Sequence, residues 1–136
     1  MTINSRCSPG DWIYYNNSCY SIELSLANFT DARNHCKNKD SDLVIIRSKE
    51  EYNFIVSHTS KKSGADFWIG LKKLRNEIYK WIDGSNPTYL PWGQQHRQQG
   101  YEGYYDFCTK SSSMEGTWAG DYCSNTNRFI CEKQLL

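Results

Sequence analysis

Hydrophobic and polar positions along the chain give two helices, then a series of short strands, with one long stretch of no period inside that series. Asp11–Tyr15 and Ser18–Ile22 are rich in Tyr and Ile and flank the polar pair Asn16-Asn17, so they read as two strands around a turn. Ala32 and Cys36 stand four apart within Thr30–Lys39 and share one face of a predicted helix, with Thr30 as candidate N-cap. Leu43–Ile46 predicts a short buried strand. Ser48-Lys49-Glu50-Glu51 has the form of a capping box, the serine bonding forward and Glu51 reaching back. Tyr52, Ile55 and Val56 follow at helical spacing and predict a second amphipathic helix.

Past Lys61-Lys62-Ser63-Gly64 the texture changes. Phe67–Leu71, Ile78–Ile82, Asp106–Thr109, Thr117–Asp121 and Phe129–Lys133 predict strands separated by turns. Two helices followed by a run of strands give an α+β fold class. Trp68, Trp81 and Trp118 fall within these apolar patterns and read as core, and Trp12 as packing near the termini. Asp83–Tyr105 has neither period and exceeds the length at which irregular loops are common, so it reads as a functional loop. Its aromatics, Tyr89, Trp92, Tyr101, Tyr104 and Tyr105, argue against plain disorder.

Composition narrows the function. Among 136 residues, 16 Lys and Arg against 15 Asp and Glu leave a net charge of +1, which argues against a nucleic-acid partner. No apolar run approaches the roughly 20 residues of a membrane-spanning helix. Met1–Arg6 lacks the apolar core of a signal peptide, so Met1 reads as an expression start. Residues 1–6 are then a stalk remnant and 7–136 one domain. The 6 cysteines, with 5 Trp, 10 Tyr and 5 Phe, point to a disulfide-stapled module of an oxidising, extracellular compartment. Cys7, Cys19, Cys36, Cys108, Cys123 and Cys131 contain no C-x-x-C pair, which favours staples over zinc ligands. Counting does not choose among their pairings.

Enzyme chemistry finds little support. His35 precedes Cys36, but adjacent helix residues point apart, and His58 reads as solvated. There is no phosphate-binding glycine loop and no paired-carboxylate arrangement, so the chain is read as a non-enzyme. Asn16-Asn17-Ser18 and Asn28-Phe29-Thr30 are glycosylation sequons, making Asn16 and Asn28 candidate glycan carriers.

Cys7-x-x-x-x-Trp12 with Cys19-Tyr20, Phe67-Trp68-Ile69-Gly70-Leu71, Trp81-Ile82-Asp83-Gly84 and Phe129-Ile130-Cys131-Glu132-Lys133 together resemble the C-type lectin-like domain in its long form. The likeness covers Cys7 to Lys133. It implies two helices with two small antiparallel sheets and a long irregular loop. It also implies three disulfides, Cys7–Cys19, Cys36–Cys131 and Cys108–Cys123, and assigns the aperiodic stretch to the loop that carries the ligand surface.

The family name implies calcium-dependent sugar binding, and calcium needs six to eight oxygens. Sugar-binding members place them in a Glu-Pro-Asn or Gln-Pro-Asp triplet, an acid two residues before a cysteine, and a Trp-Asn-Asp triplet. Here the first triplet falls on His96-Arg97-Gln98 or on Gln98-Gln99-Gly100, neither with a carboxylate, and Trp118-Ala119-Gly120 replaces the last. Asp106 alone survives. A rearranged site from Glu102, Asp106 and Asp121 has no motif behind it. The family's second, lower calcium site is matched by Glu51 and Glu132, but Arg47 places a cation at a third position. The expectation is therefore no cofactor, calcium included.

The opening and closing motifs most resemble receptor ectodomains of natural killer and myeloid cells, while Trp118–Cys123 is nearer the lectin pattern. The resemblance implies an extracellular domain, the ectodomain of a type II plasma-membrane protein or a secreted one. The expected partner is a cell-surface protein bound through the long loop without calcium. A glycan is the alternative ligand, bound calcium-independently or through a non-standard calcium site, and a homodimer stays open. Trp92, His96, Arg97, Gln98, Tyr101, Tyr104 and Tyr105 are the candidate ligand-binding residues. Tyrosine offers contact area at low entropic cost, while His96 and Arg97 are suited to steering and to hydrogen-bonding a carboxylate or carbonyl.

Overall fold

The chain first forms a hairpin, β1 (Ile13–Tyr15) and β2 (Ser18–Ala27), turned at Asn16 and Asn17 with φ of 45° and 70°. Two consecutive positive φ values are what a tight hairpin turn needs, and asparagine tolerates them better than most residues. The computed structural model describes residues 7, 10, 12–59, 65–74, 78–93, 107–112 and 116–135. After the hairpin come α1 (Phe29–Lys37), β3 (Asp42–Leu43), α2 (Lys49–Thr59), β4 (Asp66–Lys73), β5 (Tyr79–Trp81), β6 (Phe107–Ser112), β7 (Thr117–Tyr122) and β8 (Asn127–Gln134). No helix among them is long and apolar enough to cross a membrane.

The two expected antiparallel groups are present, β1-β2-β8 with β3 and β5-β4-β6-β7. They are not separate. A two-residue parallel pairing, Phe67 with Arg128 and Trp68 with Phe129, joins β4 to β8 and makes one hydrogen-bonded sheet. Residues 44–46 are a second departure. Val44 and Ile46 are fully buried as expected, but the strand covers only Asp42–Leu43. Beyond it, the Val44 N–H bonds to the Ile130 carbonyl and the Val44 carbonyl accepts from the Gly70 N–H at 2.8 Å. A Cβ on Gly70 would stand 3.0 Å from that carbonyl and 3.0 Å from Ile82 Cδ1. The glycine of the Trp-Ile-Gly-Leu motif is thus a point of close backbone approach.

The N-cap of helix α1 lies two residues earlier than the sequence reading placed it. Its N-cap is Asn28, whose Oδ1 accepts from the Asp31 N–H at 2.8 Å, and Thr30 lies inside the first turn. Both residues are acceptable caps, and the Phe29 N–H bond to the Cys123 carbonyl selects the earlier one. Ala32 and Cys36 face a core with Phe29, Leu43, Trp68 and Phe129. Helix α2 covers the opposite side through Tyr52 and Ile55, against Ile69, Leu71, Trp81 and Trp118. Trp68, Trp81 and Trp118 are at most 3% exposed. Trp12 is half-buried under the Lys133 ammonium of the last strand. The disulfides join Cys7 to Cys19, Cys36 to Cys131 and Cys108 to Cys123.

Candidate functional site

The long loop leaves the body at Pro91–Gly93 and returns into β6 at Phe107. Its outgoing stem is fixed to β7: the Trp118 N–H donates to the Pro91 carbonyl, and the Gly93 N–H donates to the Trp118 carbonyl, each at 2.9 Å. Beneath that stem the buried Trp118 ring meets Trp81, Tyr89 and Trp92 edge-on, with centroids 5.6, 5.9 and 6.2 Å away. Such edge-to-face rings add specific geometry to the burial of apolar area. Tyr52 completes the floor. Its hydroxyl lies 2.7 Å from Ser111 Oγ, and burial pushes its pKa up to about 12. The return stem stacks Phe107 on Tyr122 at 5.0 Å and is tied by Cys108–Cys123.

Trp92 is half-buried, with its ring 4.9 Å from that of Tyr79. It stands at the root of the loop. His96, Arg97, Gln98, Tyr101, Tyr104 and Tyr105 lie outside the described residues, as do Glu102 and Asp106. Of the sequons, Asn16 is exposed at the hairpin turn. The half-buried Asn28 caps α1, and Ser18 of the first sequon donates its hydroxyl to Glu132.

Among the described residues, the carboxylates that a calcium ion would use have protein donors. Asp121 accepts from the Tyr122 N–H and Asn125 Nδ2 on one oxygen, and from Asn127 Nδ2 and Lys110 Nζ on the other, at 2.7–3.3 Å. Burial raises its pKa, but the two amides and the Lys110 ammonium outweigh that and hold it below the usual carboxylate range. Lys110 also pairs with Asp66 at 3.1 Å, and although burial works against its charge, the two acids raise its pKa. Ala119 and Gly120 bring no side-chain oxygen.

At the lower position, Glu51 accepts from the Arg47 N–H at 2.9 Å and from the Tyr20 hydroxyl at 2.6 Å. Glu51 therefore reaches one residue further back than a capping box, in which the N-cap N–H itself is bonded, while Ser48 Oγ accepts from the Glu51 N–H. Glu132 accepts from Ser18 Oγ at 2.7 Å and from the Ile45 N–H at 3.1 Å. Burial, with Glu51 nearby, raises the Glu132 pKa against those two hydrogen bonds. Arg47 turns its guanidinium to Asp83. Among the described residues no three His, Cys, Asp or Glu side chains are grouped to hold a metal ion.

Sequence reasoning missed the Lys110–Asp121–Asn127 clasp. Its signal lay in the disulfide: pairing Cys108 with Cys123 brings β6 against β7, which places Lys110 on the face that carries Asp121.

Residues 25–133 match the family model described as the Lectin C-type domain. The chain is 32% identical over 135 residues to mouse asialoglycoprotein receptor 2, covering 96% of this chain and 43% of that protein. Mouse C-type lectin domain family 4 member G is 31% identical over 140 residues, covering 96% of this chain and 45% of that protein. The chain thus spans less than half the length of these curated relatives. Among solved structures, the mouse scavenger receptor C-type lectin carbohydrate-recognition domain superposes with a TM-score of 0.82 at 33% identity, covering 95% of this chain and 98% of that one. Human lithostathine superposes with a TM-score of 0.81 at 26% identity, covering 93% and 99%. With the family model covering most of its length, the chain belongs to the C-type lectin domain family.

Proposed function

We propose that this domain is the extracellular recognition module of a receptor and meets a protein ligand on its long-loop face without calcium. The observation that carries the calcium-free reading is Asp121. Asp121 accepts from Asn125, Asn127 and Lys110, and Ala119 and Gly120 before it offer no side-chain oxygen to a cation. The body supports such a loop well, because both stems are fixed, one by backbone bonds to Trp118 and the other by a disulfide. Binding residues concentrate on loops held by rigid scaffolds. Tyr101, Tyr104 and Tyr105 are the proposed anchors, with Trp92, His96, Arg97 and Gln98 around them.

A second reading is a glycan bound at the same face. It is favoured by relatives described as an asialoglycoprotein receptor and a carbohydrate-recognition domain. A cell-surface protein screen run beside a glycan array, each with calcium and with chelator, separates the two. The first reading expects a protein hit that survives chelation. Truncating a tyrosine anchor to alanine should then weaken binding by about 2 kcal/mol, with unchanged thermal midpoints. Glycan binding alone, or binding lost on chelation, overturns it.

A further inference from the structure

The β4–β5 hairpin carries a charge arrangement that works against the fold. Lys72 and Lys80 are directly opposite each other across the two strands, and like charges so placed are destabilising. Several described cations elsewhere are matched, Arg33 and Lys37 to Asp42, Lys39 to Glu23, Arg47 to Asp83, and Lys110 to Asp66 and Asp121, although Lys49, Arg128 and Lys133 stand outside these pairs. Among the described residues, Lys72, Lys73 and Lys80 face no carboxylate within ion-pair distance. Two of them are aimed by aromatic rings instead, Lys72 over Phe29 at 6.0 Å and Lys73 over Phe107 at 5.6 Å. Successive strand residues point to opposite faces, so Lys72 with Lys80 makes one face of the hairpin basic and Lys73 the other.

Next to them the hairpin exposes apolar side chains. Leu74 is 45% and Ile78 50% exposed, and the Leu74 N–H bonds to the Ile78 carbonyl at 2.7 Å. Arg75, Asn76 and Glu77 lie outside the described residues. The platform beneath is rigid, because β4 is the strand that carries the buried Trp68, Ile69 and Leu71. It adjoins both stems of the long loop, through Tyr79 against Trp92 and Lys73 over Phe107.

We propose that the face of β4 and β5 carrying Lys72, Lys80, Leu74 and Ile78 is a docking surface for an acidic protein segment that also carries apolar residues. The unmatched ammonium groups supply the charge complementarity, and Leu74 and Ile78 give an apolar residue somewhere to sit, which a sulfated glycan would not use. The inference stands on the hairpin's own geometry and does not rest on the loop-face reading.

The test uses fluorescence anisotropy with three probes: a dye-labelled Glu-Leu-Glu-Glu-Leu-Glu peptide, its Gln-for-Glu counterpart, and a heparin-derived oligosaccharide. The intact domain should bind the acidic peptide, not the neutral one, with affinity falling as salt rises. Lys72→Gln with Lys80→Gln should weaken that binding about tenfold or more. Leu74→Ser with Ile78→Ser should weaken peptide binding severalfold and leave heparin binding unchanged. Alanine variants of Tyr101, Tyr104 and Tyr105 should leave peptide binding intact, which separates a failure here from a failure of the loop-face reading. Thermal midpoints of the lysine variants should stay at or above the parent's, since a like-charge pair is relieved. Absence of peptide binding at millimolar concentration overturns the proposal. So does a peptide affinity indifferent to the Leu74 and Ile78 changes while heparin binds more tightly, or a fall in thermal midpoint when Lys80 is neutralised.

Discussion

Two groups of acids, Glu51 with Glu132 beside β8 and Asp121 at the end of β7, are both closed by the protein's own donors, but the donors differ in charge. The lower pair receives hydroxyls from Tyr20 and Ser18 and backbone N–H groups from Arg47 and Ile45, all neutral. The upper acid receives the Tyr122 N–H, two side-chain amides and an ammonium. Glu132 and Asp121 both lose hydration, yet one is pushed up and the other held down. At Glu132 two hydrogen bonds do not overcome burial and the nearby Glu51 charge. At Asp121 the Asn127 and Asn125 amides, joined by the Lys110 charge, do overcome it. A carboxylate counted as a potential metal ligand from sequence is therefore already committed, and the identity of its donor decides what it does as pH changes.

The largest expected effect tests whether the two regions are independent. Cys36–Cys131 closes a separation of 95 residues and holds α1 to the strand bearing Glu132, whereas Cys108–Cys123 closes 15 beside Asp121. On chain-entropy grounds, replacing the first pair by alanines costs about 4–5 kcal/mol and the second about 3 kcal/mol. Denaturant unfolding of both variants checks the order. Equal losses would mean that native-state contacts, not loop closure, set the difference.

Lys110→Met comes next. It leaves Asp66 and Asp121 facing each other without their shared cation, at a cost of about 1–3 kcal/mol because the lysine is partly exposed. Ser18→Ala removes a neutral donor from Glu132 and costs about 1 kcal/mol. If Ser18→Ala proves the more damaging of the two, the contrast between charged and neutral clasps fails.

The pH dependence has opposite signs. Asp121 has a lowered folded pKa, so its stabilisation is complete above its unfolded value of about 3.9 and is lost as pH falls through the folded one. Glu132 has a raised folded pKa. Its neutral form is favoured by folding below about 4.3, and that advantage is lost as pH rises through the folded value. Asp121→Asn should therefore approach the parent's stability on acidification. Glu132→Gln should gain on the parent as pH rises from about 4 toward neutrality, because glutamine can accept from Ile45 and donate to Ser18 without ionising. Urea midpoints across that range measure both. Parallel curves for the two variants would erase the distinction.

The fold was readable because its determinants are local or motif-borne: the Asn16-Asn17 turn, the Ala32/Cys36 face, the Ser48–Glu51 cap, and the tryptophans of the core. The parallel β4–β8 junction was not, since two backbone pairings, Phe67 with Arg128 and Trp68 with Phe129, leave no side-chain period to detect. The choice of Asn28 over Thr30 was equally hidden, because it depends on a backbone bond from Phe29 to a residue 94 positions on, Cys123. At the site, the departures from the calcium-binding triplets could be counted in the sequence. The donors around Asp121 could not, because Lys110, Asn125 and Asn127 meet it only after the β6–β7 register is set.

The smallest effect is the sharpest test of what both groups of acids share. A calcium ion at either would have to displace donors already bonded, a hydroxyl and an N–H at Glu51 and at Glu132, or an ammonium, two amides and an N–H at Asp121. Each displaced donor is then left unpaired near the ion, and the ammonium repels it directly. A site of millimolar affinity at tenfold excess would stabilise the domain by about 1.4 kcal/mol, several degrees in a domain of this size. The expected shift in thermal midpoint between millimolar calcium and chelator is below about 1 °C. A larger shift abolished by Asp121→Asn would mean that the loop acids Glu102 and Asp106 pull Asp121 from Lys110. One abolished by Glu132→Gln would place the ion in the lower pair, where the Tyr20 and Ser18 hydroxyls would have to turn away.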